Sequence, residues 1–121
     1  MKKRIPDTCR SVTHKAVIHA EKERIKFFIT VGMYEDGRPG EVFLTFDQTG
    51  STLDGLADCW AIAISMLLQT GTTLDQIVAK FAHQAFEPAG MTECPEVRTA
   101  RSIIDYVVRW MDAKFKVEVK K

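Results

Sequence analysis

Apolar and polar residues alternate through the first third of the chain. Ile25, Phe27, Ile29, Val31 and Met33 share one face, with Lys26, Phe28, Thr30 and Tyr34 on the other. That period of two, with its β-branched and aromatic enrichment, predicts a half-buried strand. Val12, Ala16 and Ile18 alternating with Thr13, Lys15 and His19 predict a weaker strand before it. Val42, Leu44 and Phe46, set against Glu41, Phe43 and Thr45, predict a third after it. The links are a polar turn, Ala20-Glu21-Lys22-Glu23, and a tight Gly/Pro loop over Glu35–Gly40. Links this short predict an antiparallel three-stranded meander.

At Gly50 the period changes to 3.6. Ser51 or Thr52 suits an N-cap, and Asp54 suits the positive end of a helix. Leu53, Leu56, Ala57, Trp60, Ala61, Ile64, Leu67 and Leu68 trace one face, and Gly71 ends the helix. The reverse side carries a second apolar stripe, Cys59, Ile62, Ala63 and Met66, leaving a narrow polar line of Asp54, Asp58, Ser65 and Gln69. A helix apolar nearly all round is buried on both sides. In a chain of this size the second cover is expected to be another subunit.

Thr73-Leu74-Asp75-Gln76 is a capping box that opens a second helix with Leu74, Ile77, Val78 and Phe81 inside. Phe86–Pro95, with Pro88, Gly90 and Pro95, reads as loop. Pro95 then suits the first turn of a third helix, whose core face is Val97, Ala100, Ile103, Ile104, Val107, Val108 and Met111. Phe115, Val117 and Val119 alternate with charges in a short strand-like tail. The expected fold is α+β, one domain over residues 1–121: an antiparallel three-stranded meander packed on a central apolar helix, with two further helices.

Size and composition restrict the function classes. A chain of 121 residues, 45% apolar and 27% charged, has enough surface to bury one real core. No apolar run approaches the ~20 residues of a membrane span, and Met1–Pro6 lacks the apolar stretch of a signal peptide. A cytoplasmic protein with no membrane partner is expected. Charge is segregated. Residues 1–26 carry eight basic and three acidic side chains, residues 35–58 one and six, and residues 98–121 seven and three. Two basic ends around an acidic middle either build a local anion site, meet each other across a subunit contact or simply face solvent. A net charge of only +1 argues against a nucleic-acid partner.

The cysteines, Cys9, Cys59 and Cys94, number three and contain no C-x-x-C pair, so neither a disulfide framework nor a zinc ribbon is expected. Spacing does not require a metal at the cysteines with His14, His19 and His83. No serine elbow, H-E-x-x-H or glycine-rich dinucleotide fingerprint is present, so no catalytic residues and no cofactor are assigned.

The candidates for binding are cationic or lie at a helix start. Gly50, Ser51 and Thr52 precede the main helix, where unpaired N–H groups and hydroxyls suit a phosphate or carboxylate; plain capping explains them equally. Arg38, between two glycines, can approach a phosphate with little obstruction or brace an acidic neighbour. Lys15 and His14 fall on opposite faces of their strand, so only one of them points at a given ligand. Arg101, Asp105 and Arg109, at i, i+4 and i+8, read as a surface salt-bridge row, with Arg109 beside Trp110 open to stacking on a base.

Several of these runs resemble the TSCPD domain family. They are Thr13-His14-Lys15, the stretch Gly32–Glu41 containing Tyr-Glu-Asp-Gly-Arg-Pro-Gly-Glu, Gly50-Ser51-Thr52-Leu53-Asp54-Gly55-Leu56, Phe86–Gly90 and Ser102–Tyr106. The resemblance covers residues 4–112. The family's domain occurs at the C-terminal end of adenosylcobalamin-dependent ribonucleotide reductases and as small free-standing proteins. The resemblance implies kinship with a reductase but not its radical chemistry, which belongs to a barrel domain. The cysteine pair often found at the reductase terminus is also absent from Val119-Lys120-Lys121. It supplies no catalytic residues. The expected function is a non-catalytic, oligomeric module that binds a nucleotide or similar phosphorylated ligand through Lys15, Arg38, Gly50, Ser51, Thr52 and Arg109. The alternatives are an accessory domain that docks on a ribonucleotide reductase, or a free-standing, phage-borne protein that sequesters a nucleotide signal.

Overall fold

The computed structural model describes residues 5–47 and 52–116. Strands β1 (Arg10–His19), β2 (Arg24–Met33) and β3 (Pro39–Phe46) form the expected meander. It is part of a larger antiparallel sheet. β4 (Gly90–Cys94) and β5 (Val97–Ala100) extend it on the β1 side, giving the order β3-β2-β1-β4-β5. Helices α1 (Thr52–Gln69), α2 (Leu74–Phe81) and α3 (Ile103–Met111) complete the α+β architecture.

Register follows from the alternation. Val12↔Val31, His14↔Ile29, Ala16↔Phe27 and Ile18↔Ile25 are cross-strand partners, and Val42, Leu44 and Phe46 continue the same face on β3. That face is the core. Phe27 stacks on Phe46 with centroids 5.0 Å apart and meets Tyr106 of α3 edge-on at 5.7 Å. Each such buried aromatic contributes ~1.5–3 kcal/mol through the area it removes from water. Ile77 of α2 and Val107, Val108 and Met111 of α3 close the core.

Three expectations need correction. The segment read as loop and helix start is the β4–β5 hairpin, with Pro95-Glu96 at its turn, and α3 begins eight residues later than expected. Val97 and Ala100 are buried as strand residues; their spacing of three happens to continue the helical pattern of α3. The tail read as a strand begins with a π-helical turn, Asp112–Lys116, that buries Phe115, while Val117 and Val119 lie outside the described residues. On α1, Leu56 and Leu67 are exposed rather than inward.

The polar line of α1 has a structural task. β3 is an edge strand, and α1 lies along that edge. Ser65 Oγ accepts from the Val42 N–H at 2.9 Å and sits 3.2 Å from the Val42 carbonyl. Gln69 Nε2 donates to the Gly40 carbonyl at 3.0 Å. These bonds occupy backbone groups that would otherwise template further strand pairing. α1 stops as expected: Gly71 has φ 108°, and Thr72 N bonds Leu67 O while Gly71 N bonds Leu68 O, a Schellman ending. The Thr73–Gln76 capping box then opens α2 with both reciprocal bonds.

Candidate functional site

The turn from β2 into β3 is built around Tyr34. Tyr34 N bonds the Arg38 carbonyl and Gly37 N bonds the Tyr34 carbonyl, both at 2.9 Å, with Gly37 at φ 90°. The Tyr34 ring is buried against Gly40, where an added Cβ would stand 2.8 Å from Cε2. Burial pushes the Tyr34 phenol above its ordinary pKa. On the ring's other side lies Arg38, its guanidinium carbon 5.1 Å from the centroid.

Arg38 is oriented from below. Asp36 Oδ1 accepts from the Arg38 backbone N–H at 3.0 Å and Oδ2 from Nε at 2.7 Å. Both side chains are about half exposed, so the pair is worth little to stability, on the order of 0–1 kcal/mol. Its effect is to aim the fork. Among the described residues, the hydrogen bonds to Asp36 use the Arg38 backbone N–H and Nε rather than Nη.

Beside this fork the α1–α2 connection encloses a cavity of about 320 Å³. Pro39, Leu68, Leu74 and Phe115 supply apolar walls; Tyr34, Arg38, Thr72, Thr73 and Asp75 supply polar groups. Its volume falls within the range of small-ligand pockets, as does its mix of apolar wall and a few polar groups. Of the lining, only Arg38 is among the binding candidates legible in the sequence. Gly71 and Thr73 were legible as helix punctuation, yet nothing in the pattern shows that Phe115 turns back to meet them.

The other expected site residues do not gather here. Thr52 opens α1, whose eighteen residues span ~27 Å. Arg38 lies beside the opposite end, where Gln69 reaches Gly40. The expected pairing of Arg38 with the α1 start therefore fails, because β3 separates them and α1 runs back along it. Gly50 and Ser51 lie outside the described residues. Beside Leu53 in the first turn of α1, Arg24 and Lys26 line a smaller hollow of about 170 Å³ with Asp47; Lys26 Nζ pairs with Asp47 at 3.6 Å. Lys15 is exposed on the sheet face opposite α3 and lines neither cavity.

Arg109 belongs to a buried network. Asp105 is fully buried and accepts from the His83 N–H at 2.6 Å, the Arg101 N–H at 2.9 Å and Arg109 Nη1 at 3.0 Å. Arg109 Nη1 also donates to the Thr99 carbonyl at 2.8 Å. Trp110 is buried and stacks on His14 at 4.7 Å, so its face is not open to a base. Arg101 contributes its backbone rather than a surface rung.

A chain of polar side chains crosses from β1 to the hairpin. His14 Nε2 and the Tyr106 hydroxyl are 3.0 Å apart, and Cys94 Sγ donates to Glu96 Oε1 at 3.3 Å. Burial lowers the His14 pKa, with Glu96 opposing, and raises those of Tyr106 and Cys94. Each shift favours the neutral form, so Cys94 is a packed thiol rather than an activated nucleophile. Among the described residues no group of three or more His, Cys, Asp or Glu side chains is placed to hold a metal ion. No described helix is long and apolar enough to cross a membrane.

Known proteins are similar over this whole unit. The family profile of the TSCPD domain matches residues 2–115. A vitamin B12-dependent ribonucleotide reductase of Rhodopirellula baltica is 42% identical over 114 residues, 94% of this chain and 11% of that protein. The enzyme of the same name from Streptomyces avermitilis is 47% identical over 88 residues, 73% of this chain and 9% of the relative. That from Bradyrhizobium diazoefficiens is 37% identical over 109 residues, 89% and 8% respectively. The chain thus spans about a tenth of the length of these curated relatives. No solved structure matches it. With the sheet, the three helices and the Tyr34–Gly40 turn all inside the matched stretch, the chain belongs to the TSCPD domain family.

Proposed function

We propose that this domain is a non-catalytic, oligomeric module that binds a nucleotide or similar phosphorylated small molecule in the cavity beside Arg38. The observation that carries this reading is a guanidinium oriented through Nε by Asp36 and laid against the Tyr34 ring, at the edge of an apolar-walled cavity of about 320 Å³. Pro39, Leu68, Leu74 and Phe115 suit an apolar or aromatic ring, and Arg38 suits its anionic group. Asp36 and Asp75 place negative charge close by, which favours a single phosphate over a chain of them. Among the described residues the lining holds no histidine or cysteine, which supports binding over thiol chemistry.

A thermal-shift screen against nucleoside mono-, di- and triphosphates and cyclic nucleotides tests the reading, followed by calorimetric titration of the best monophosphate. Arg38→Ala is expected to weaken that titration by roughly 10- to 100-fold, since a charge-assisted bond is worth ~1.5–3 kcal/mol. Its melting temperature should barely move. Unchanged affinity would remove Arg38 from the site.

The relatives favour a second reading, an accessory domain that docks on a ribonucleotide reductase, because their matched stretch is part of a much longer chain. A silent nucleotide screen together with a stable complex between this chain and a purified reductase body would select it.

A further inference from the structure

The face of α1 turned away from the sheet is apolar and uncovered by the described residues. Leu56, Ile62, Met66 and Leu67 expose 66%, 53%, 60% and 39% of their surface. Cys59 and Ala63 lie exposed between them. The stripe contains no charge, and Asp58 lies on its flank in the second turn. Four large apolar side chains on one helix face exceed the scattered exposure normal for a monomer.

This stripe is complementary to its own reverse. Its seam positions, Leu56, Cys59, Ala63 and Met66, centre on position 61. A copy of the helix laid antiparallel about a twofold axis at that point sets Leu56 against Met66 of the second copy. The same register sets Cys59 against Ala63 and Gly55 against Leu67. Large side chains meet at the ends and small ones at the centre, so the axes approach closely. At Gly55 an added Cβ would find nothing within 4 Å, which leaves room for the facing leucine. A parallel pair would instead oppose Gly55 to Gly55, bring the two Asp58 side chains to the same end and align the two macrodipoles. A closed twofold contact needs one patch that fits itself, and this one does.

We propose that this face docks a second copy of the chain as an antiparallel α1–α1 pair, with Leu56, Cys59, Ala63 and Met66 in the seam. The inference deepens the oligomeric part of the function proposed above and is independent of the ligand, since none of these residues lines the Arg38 cavity.

The test uses the full chain in a Cys9→Ser background, which removes the other exposed thiol. Light scattering at about 50 μM, well above a micromolar Kd, should return a dimer. Adding Ala63→Cys brings Cys59 opposite a new thiol across the seam. Mild oxidation should then yield a reducible covalent dimer, while the parent with Cys59 alone should not cross-link. Met66→Asp, and independently Ile62→Lys, should give monomers with unchanged circular dichroism. A monomeric parent, cross-linking through Cys59 alone, or a dimer that survives both charged variants would each overturn the proposal. So would a parent that stays monomeric and takes only a different protein on this face. Nucleotide titration of the Met66→Asp monomer is read separately, so loss of the seam and loss of the ligand site are distinguishable.

Discussion

Asp105 carries more of this fold than its place in the sequence suggests. Read along α3 it is the middle rung of an i, i+4, i+8 row with Arg101 and Arg109, a pattern that ordinarily faces solvent. In the fold it is fully buried and joins the end of α2, the end of β5 and α3 through His83, Arg101 and Arg109. It also holds His83 in a left-handed conformation, φ 70°, that a non-glycine residue rarely adopts. Asp105→Ala strands two backbone N–H groups and a half-buried guanidinium, so a loss of about 3–5 kcal/mol is expected from a urea unfolding midpoint. Asp105→Asn keeps an acceptor and should recover part of it. At the same scale Arg38 shows the converse. Its glycine-flanked position was legible as a loop cation, and the Asp36 bonds that aim it are local.

At the scale of elements, the β4–β5 hairpin is the part of the fold that the pattern concealed. Its strands have five and four residues, too short for alternation to declare itself against a neighbouring helix. Its turn proline also imitates a helix start. Pairing with β1 is limited to Ile18↔Thr92 and His19↔Met91, and Gly90 makes that approach possible. A Cβ there would fall inside contact distance of the His19 carbonyl, a backbone atom that cannot step aside. Gly90→Ala is expected to cost about 2–3 kcal/mol and to speed amide exchange through β4 and β5. Gly40→Ala should cost less, because what it meets is the Tyr34 ring, which can tilt.

Over the whole molecule, stability should depend on pH through His14, which ties β1 to α3. Burial between Tyr106 and Trp110 holds its imidazole below the usual 6.5, with Glu96 partly opposing. As pH falls through that ordinary value, the unfolded chain takes up a proton that the folded chain resists, so stability is lost toward acid. Above about pH 7 both states are neutral and the penalty vanishes. The melting temperature of the parent should therefore drop between pH 7.5 and 5.5, and His14→Gln, which cannot titrate, should flatten that part of the profile. An unchanged slope would show that His14 does not set it.

Local patterns determined the elements whose signals are dense and self-contained. Alternation, clearest in β2 and β3 and weaker in β1, set both the strands and their core face. Gly71 and the Thr73–Gln76 box set the break between α1 and α2, because a positive φ and a reciprocal cap are properties of a few adjacent residues. The family was legible in the same way, through short runs such as Tyr34–Glu41. Tertiary structure decided what depends on residues distant in the chain. It placed Arg38 at the far end of α1 from Thr52, because β3 and α1 together carry the chain out and back. It turned Ser65 and Gln69 onto the β3 edge, buried Asp105, and put Leu56 and Leu67 on the exposed side of α1. Periodicity reports that a side chain is apolar or charged and on which face it falls. Which surface that face meets is settled only when the sheet and helices pack, since burial and backbone partners belong to the packed whole.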